Sequence, residues 1–248
     1  MTKDQVFNQN SGVRPSEVTV DNGSKFIGAT FLYLTFALLV TFGVVGILGS
    51  LFKYALFNGD VDNLQTFIII FVAALFLYIP VMIWVHIAAR RNGRTVGAAF
   101  FAYSIVMGAL IAPICIVFDF WTILITLGAT VLSFAVMALI AWTSKRNMSS
   151  LAVIGLGLLF GALVLSLFNF ILSFFIEYQF LYAIVSGLFF FAIILITIFD
   201  LNNVKRIAMS GGGTRNMAFL CALNLYVDFI YIFIRLLRLV AILFLNRR

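Results

Sequence analysis

Charged residues are scarce in this chain of 248 residues. Asp, Glu, Lys and Arg make up 10% of it, whereas 64% of the residues are hydrophobic and the mean hydropathy is +1.15. A soluble globule needs more polar surface than this, so the composition indicates an integral membrane protein whose main partner is the lipid bilayer. The basic residues behind the net charge of +7 fall between apolar runs and form no single basic face, which argues against a nucleic-acid partner.

Residues that carry catalysis are also rare. The single histidine, His86, and the two cysteines, Cys115 and Cys221, are too few for a zinc enzyme, and the cysteines lie in different apolar stretches, which argues against a disulfide. No Gly-x-Ser-x-Gly turn supplies a serine nucleophile, and the last apolar stretch has no lysine for a retinal Schiff base. We therefore expect no enzyme activity and no cofactor. His86 reads as an ordinary interfacial imidazole that could tune a nearby charge.

Seven apolar segments of about 20 residues, the length that crosses a bilayer as a helix, follow one another along the chain. They cover residues 26–48, 67–89, 96–118, 121–142, 151–175, 180–199 and 217–237. The sequence thus predicts an all-α bundle of seven transmembrane helices over residues 26–248, after a polar tail at residues 1–25 that lacks a secretory signal. Pro113 could end the third helix early.

The connections between the segments alternate in charge, which predicts the orientation because Lys and Arg accumulate on the cytoplasmic side. Lys53 alone opposes this pattern in its connection, and the basic residues near the end of the chain leave the side of the C-terminus open. We expect a cytoplasmic N-terminus, and the short tail without eukaryotic targeting signals favours a bacterial inner membrane over the endoplasmic reticulum. The basic connections carry Arg90, Arg91 and Arg94, then Lys145 and Arg146, then Lys205, Arg206 and Arg215; the acidic ones carry Asp60 and Asp62, then Asp119, then Glu177.

Two acidic residues, Asp200 and Asp228, lie in apolar stretches where a carboxylate costs at least about 2.5–3.5 kcal/mol, so they are the candidate functional residues. If they face each other across adjacent antiparallel helices, repulsion would leave them sharing one proton, which makes a proton-sensitive switch. Alternatively, a neighbouring arginine or hydroxyl simply neutralises each of them. Arg90 and Arg91 lie on the same predicted side as Asp200 and could bridge to the pair.

Small residues recur three or four positions apart in the fifth segment, a spacing that lets neighbouring helices approach closely. They are Ala152, Gly155, Gly157 and Gly161, and Gly97 and Gly108 of the third segment read similarly. We interpret these residues as packing surfaces.

Three blocks of sequence resemble one known family. The terminal stretch ALNLYVDFIYIFIRLLR, residues 222–238, resembles the C-terminal signature of the Bax inhibitor-1 family, also called the transmembrane Bax inhibitor motif family. Residues 198–206 (IFDLNNVKR) and 143–151 (TSKRNMSSL) agree with it, and the resemblance covers about residues 26–240 in matching order. Arg235, where relatives often carry an uncharged residue, is a local departure.

The resemblance implies a seven-helix fold with the last helix central and a pH-sensitive calcium leak. Asp200 and Asp228 correspond to the family's proton-sensing pair, which could also contact the permeant calcium ion transiently. An arginine at the end of the second helix corresponds to a latch on that pair; gapless alignment from Val96 points to Arg91, with Arg90 as the alternative. Two other functions stay open: a regulator that binds a partner membrane protein such as a protease or a cell-death factor, and proton-coupled transport of a small solute.

Overall fold

The computed structural model describes residues 15–58, 61–90, 95–144, 148–172, 179–211 and 213–245. Within these ranges the chain forms helices joined by short connections and no strand. The helices are α1 (Pro15–Asn58), α2 (Val61–Arg90), α3 (Val96–Ile116), α4 (Phe120–Thr143), α5 (Ser149–Leu172), α6 (Gln179–Met209) and α7 (Arg215–Leu245).

All seven helices are long and apolar enough to cross a membrane, which confirms the predicted seven-helix fold of an integral multi-pass membrane protein. Several boundaries differ from the sequence prediction, among them the end of α1 at Asn58 and the start of α2 at Val61, which were predicted at residues 48 and 67. Helix α1 already begins at Pro15, so the part of the predicted tail that is described is helical, while residues 1–14 lie outside the described residues. Helix α6 runs past its apolar core to Met209, because polar residues remain helical beyond the lipid-facing segment. Helix α7 runs past the predicted segment to Leu245 through a further apolar stretch, residues 239–245.

Proline does not end α3 early, as the sequence suggested it could. The helix continues through Pro113 to Ile116. Proline is tolerated in membrane helices because neighbouring helices and local adjustments satisfy the freed carbonyl group. The break comes instead at Asp119, whose carboxylate caps α4 by accepting hydrogen bonds from the Thr122 hydroxyl and from Thr122 N at 3.2 Å. These hydrogen bonds, the hydroxyl first, hold the pKa of Asp119 below its usual range.

Helix α7 is the centre of the bundle. It packs against α1, α2, α3, α4 and α6, and 67% of its membrane-spanning window is buried inside the protein. Helix α3 follows with 61%, whereas α2 and α5 bury only 11% each and face outward. The bundle therefore has a rigid middle built on α7 and α3, with α2 and α5 at its edge.

A buried hydrogen-bond cluster links α1, α3 and α7. The Thr41 hydroxyl lies 2.9 Å from Ala37 O and 3.0 Å from Ser104 O, and the Tyr226 hydroxyl lies 2.6 Å from Thr41 Oγ1. Because the two carbonyl groups can only accept, the Thr41 hydroxyl donates its hydrogen to them, and the Tyr226 hydroxyl donates to Thr41 Oγ1. Thr41 and Tyr226 are both fully buried, so the cluster fixes the register of the three helices.

We expect Tyr226→Phe to lower the free energy of unfolding by about 0.5–1.5 kcal/mol, because it removes one buried hydrogen bond and keeps the ring. Thermal unfolding in detergent measures this. Tyr231→Phe is the matched control on the same helix, since Tyr231 is 46% exposed. Equal losses in the two variants would contradict the assignment of the Tyr226 hydroxyl to a buried bond.

The small residues of the sequence divide into two groups in the structure. A Cβ atom added to Gly155 would lie 2.8 Å from Ile196 Cγ1 and 3.2 Å from Ala192 O of α6, and one added to Gly97 would lie 3.1 Å from the Phe219 ring. Gly157 and Gly161 have nothing within 4 Å of an added Cβ. Close approach of helices therefore explains Gly155 and Gly97 and leaves Gly157 and Gly161 without a packing role.

The two cysteines are free and buried, as their positions in different spans predicted.

Candidate proton and ion site

The connection between α6 and α7 brings the two predicted aspartates to adjacent helices. Helix α6 ends at Met209, and Gly211 adopts φ 105°, a left-handed conformation that favours glycine at a helix C-terminus. The short connection returns the chain antiparallel to α6, so α7 packs alongside it. Asp200 and Asp228 consequently lie on two neighbouring membrane-spanning helices.

Asp200 and Asp228 line the same cavity, which has a volume of about 250 Å³. Met82 and His86 of α2 and Tyr103 of α3 complete its wall, together with Leu223, Asn224 and Val227 of α7. The two carboxyl groups are close enough to interact electrostatically. The structure thus brings together the pair that the sequence singled out, inside a pocket between α2, α3, α6 and α7.

Asp228 is the more buried of the two aspartates, with 8% of its surface exposed. Its Oδ2 atom is fully buried and accepts no hydrogen bond from the part of the chain that the structure describes. The Thr197 side chain contacts the carboxyl group, while the Thr197 hydroxyl also donates to Ile193 O at 2.8 Å. A buried oxygen without a donor is costly for an ionised carboxylate, so this site favours a proton or a cation at Asp228.

Asp200 lies on a helix that is anchored to the end of α4 by residues between Asp200 and the end of α6. The Asn202 amide donates to Ala141 O at 3.3 Å, and the Lys205 ammonium donates to Trp142 O at 2.6 Å and to Ser144 O at 2.9 Å. Lys205 therefore satisfies the carbonyl groups at the C-terminus of α4, where a cation is favourable. These bonds hold α6 in place while leaving the Asp200 carboxyl in the cavity.

His86 faces the same cavity as the aspartates, which the sequence interpretation as an interfacial imidazole did not anticipate. Its Nδ1 atom lies 2.9 Å from Met82 O. A carbonyl oxygen only accepts, so Nδ1 is the donor of this hydrogen bond. The cavity therefore holds an imidazole together with the two carboxyl groups.

The predicted arginine latch is outside what the structure describes. Arg91 lies outside the described residues, and Arg90 ends α2 with a side chain that is likewise not described. Among the described residues no three His, Cys, Asp or Glu side chains cluster as a metal site. The two carboxyl groups and the Asn224 amide line the cavity with oxygen atoms, the ligand type that calcium prefers.

The sequence analysis identified the two aspartates but not the residues around them. Thr197 stands three residues before Asp200, so helical spacing could have placed it on the same face. Asn224 likewise stands four residues before Asp228, on the same face of α7. Tyr103 carries no such signal, because its position in the cavity depends on how α3 packs.

A comparison with family models identifies the family, whereas a comparison with curated individual proteins gives no match. The family model described as "Inhibitor of apoptosis-promoting Bax1" matches residues 23–245, which includes every described helix that lines the cavity. The chain, with its seven spans and its aspartates on α6 and α7, therefore belongs to the Bax inhibitor-1 family.

Proposed function

We propose that the protein is a pH-sensitive calcium leak channel, gated by protonation of the Asp200 and Asp228 pair. The observation that carries the proposal is the shared cavity: two membrane-embedded carboxyl groups on adjacent helices face one space, and one carboxyl oxygen is buried with no donor among the described residues. Intramembrane acids in such positions are typical of ion pathways and proton relays. No catalytic role is part of the proposal.

Protonation changes the charge of the cavity and with it the cost of closing the helices around it. When both groups are ionised they repel each other and attract a cation; when they share a proton, the net charge and the repulsion fall. Calcium would contact the ionised pair only in passing, since two carboxylates form an incomplete shell for an ion that takes six to eight oxygens.

Helix α2 is the element best suited to move. It supplies Met82 and His86 to the cavity but buries only 11% of its spanning window, against 67% for α7. Less packing is lost when α2 shifts, so a change of charge in the cavity is more readily converted into motion of α2 than of α7. The end of α2 also carries Arg90 and precedes Arg91, so a latch from Arg91, or alternatively Arg90, to the pair fits this part of the proposal.

The proposal includes an orientation. Lys205 and the ends of α2, α4 and α6 form a basic side, which the positive-inside rule assigns to the cytoplasm together with the N-terminus. A bacterial inner membrane is the proposed location.

Calcium entry into dye-loaded proteoliposomes tests the proposed function. Purified protein should admit calcium, with a rate that changes between about pH 6 and pH 8 because the coupled acids share a proton. Protein-free liposomes give the background. A rate equal to background at every pH would reject the leak and favour the alternative, a regulator whose cytoplasmic connections bind a partner membrane protein. Uptake that saturates with a small solute under a proton gradient would favour the transporter.

A further inference from the structure

A second cavity lies at the opposite end of the bundle from the basic connections. It is a groove of about 360 Å³ between the C-terminal half of α1, the end of α3 and the start of α4. Its walls are apolar side chains, among them Phe42, Val45, Phe118 and Leu127. The volume falls within the range of about 300–1,000 Å³ that is typical of small-molecule sites.

Two glycines of α1 give the groove its depth. Gly46 and Gly49 both line it; a Cβ atom added to Gly46 would meet nothing within 4 Å, and one added to Gly49 would meet only Ile116 Cγ1 at 3.6 Å. In the part of the chain that the structure describes, no helix occupies this space against α1. The groove is therefore open enough to hold a flexible apolar chain.

The polar end of the groove carries Ser50 and Lys53. Ser50 donates its hydroxyl hydrogen to Ile47 O at 2.8 Å, so Lys53 is the group that sets the charge there. Lys53 is exposed, and it is also the basic residue that opposes the positive-inside pattern in its connection. The positive-inside rule does not account for Lys53 on this side of the membrane. Binding of an anionic ligand would account for it.

The level of Lys53 in the bilayer matches that of lipid headgroups. Tyr54 follows it with 63% of its surface exposed, and Trp121 at the start of α4 is 68% exposed. Exposed Tyr and Trp mark the membrane interface. Asp119, which lies between groove residues Phe118 and Phe120, uses its carboxylate to cap α4, so the nearby acid is already engaged by Thr122.

From these observations we propose that the groove binds one glycerophospholipid, with an acyl chain between α1, α3 and α4 and the phosphate against Lys53. The surrounding lipid tails are as apolar as the groove, so burial alone gives no preference for a bound chain. Selectivity must come from shape and from the phosphate contact. The proposal goes beyond the proposed leak and does not depend on it.

Native mass spectrometry of the purified protein with added lipid tests this site. We expect one bound molecule of phosphatidylglycerol or phosphatidylethanolamine and much weaker binding of diacylglycerol with the same acyl chains. Lys53→Gln should weaken phospholipid binding about fivefold, which is the effect of one interfacial lysine. Diacylglycerol binding as tight as that of the phospholipids would overturn the proposal.

A pair of glycine variants separates the groove from the rest of the lipid-facing surface. Gly46→Leu places an apolar side chain in the groove, where an added Cβ meets nothing within 4 Å, and should abolish the bound lipid. Gly43→Leu is the control: its added Cβ also meets nothing within 4 Å, and Gly43 does not line the groove, so binding should be unchanged. Equal retention of the lipid in both variants would place it elsewhere. Helical circular dichroism and elution volume identify a variant that fails to fold.

Discussion

Asp228→Asn should flatten the pH dependence of calcium entry. Asn has nearly the shape of Asp and keeps a hydrogen-bonding group beside Thr197, but it does not titrate. Where the wild-type rate changes roughly tenfold between about pH 6 and pH 8, we expect the variant to change less than about twofold, because the remaining acid no longer shares a proton. The measurement is dye-reported calcium entry into proteoliposomes.

The unfolding temperature of the Asp228→Asn variant shows whether it folds normally. Asp228 Oδ2 is buried without a donor, so replacing the acid with a neutral amide should leave the unfolding temperature unchanged or raise it. Asp62→Asn is the matched control, since it removes the same charge at an exposed position on α2 and should change neither the pH profile nor the stability. A flattened profile in the Asp62 variant would mean that overall charge, and not the pair, controls the leak.

Gly108→Ala should be the most damaging single-methyl substitution in the third helix. A Cβ at this position would lie 2.8 Å from Thr41 O and 2.8 Å from Val44 Cβ, both of which are fixed parts of α1. Neither atom can rotate away, so α1 and α3 must separate, and we expect the free energy of unfolding to fall by about 1–3 kcal/mol. The buried cluster at Thr41 lies at the same contact and would be strained as well.

Gly128→Ala gives the opposite expectation in the neighbouring α4. Nothing lies within 4 Å of a Cβ added there, and alanine favours a helix over glycine by up to about 1 kcal/mol. Thermal unfolding of the two variants should therefore shift in opposite directions, or the control should stay unchanged. Destabilisation of similar size in both would show that α1 and α3 are not in the close contact described.

The fold could be predicted almost entirely from the sequence because the bilayer imposes one rule on every span. Seven apolar segments predicted seven helices, and each observed helix contains most of its predicted segment. Helix ends were less predictable. Polar residues continue a helix as readily as apolar ones when their side chains reach the interface, so α6 extends past Asp200 to Met209.

The candidate site was predictable only in part. An acid in an apolar run is conspicuous, which is why Asp200 and Asp228 could be singled out. The cavity around them is made by packing: His86 and Tyr103 come from helices far away in sequence, and nothing local distinguishes them from ordinary interfacial or core residues. The same holds for the glycines, since Gly155 and Gly157 look equivalent in the sequence and only the position of α6 separates them.

The most direct test of the central claim is a double-mutant cycle on the leak. The ratio of calcium entry rates at about pH 6 and pH 8 would be measured in wild type, Asp200→Asn, Asp228→Asn and the double variant. If the two acids act as one proton-sharing unit, each single substitution removes nearly the whole pH dependence and the double variant loses no more. Independent effects that multiply in the double variant, or a pH dependence that survives in it, would contradict gating by the pair.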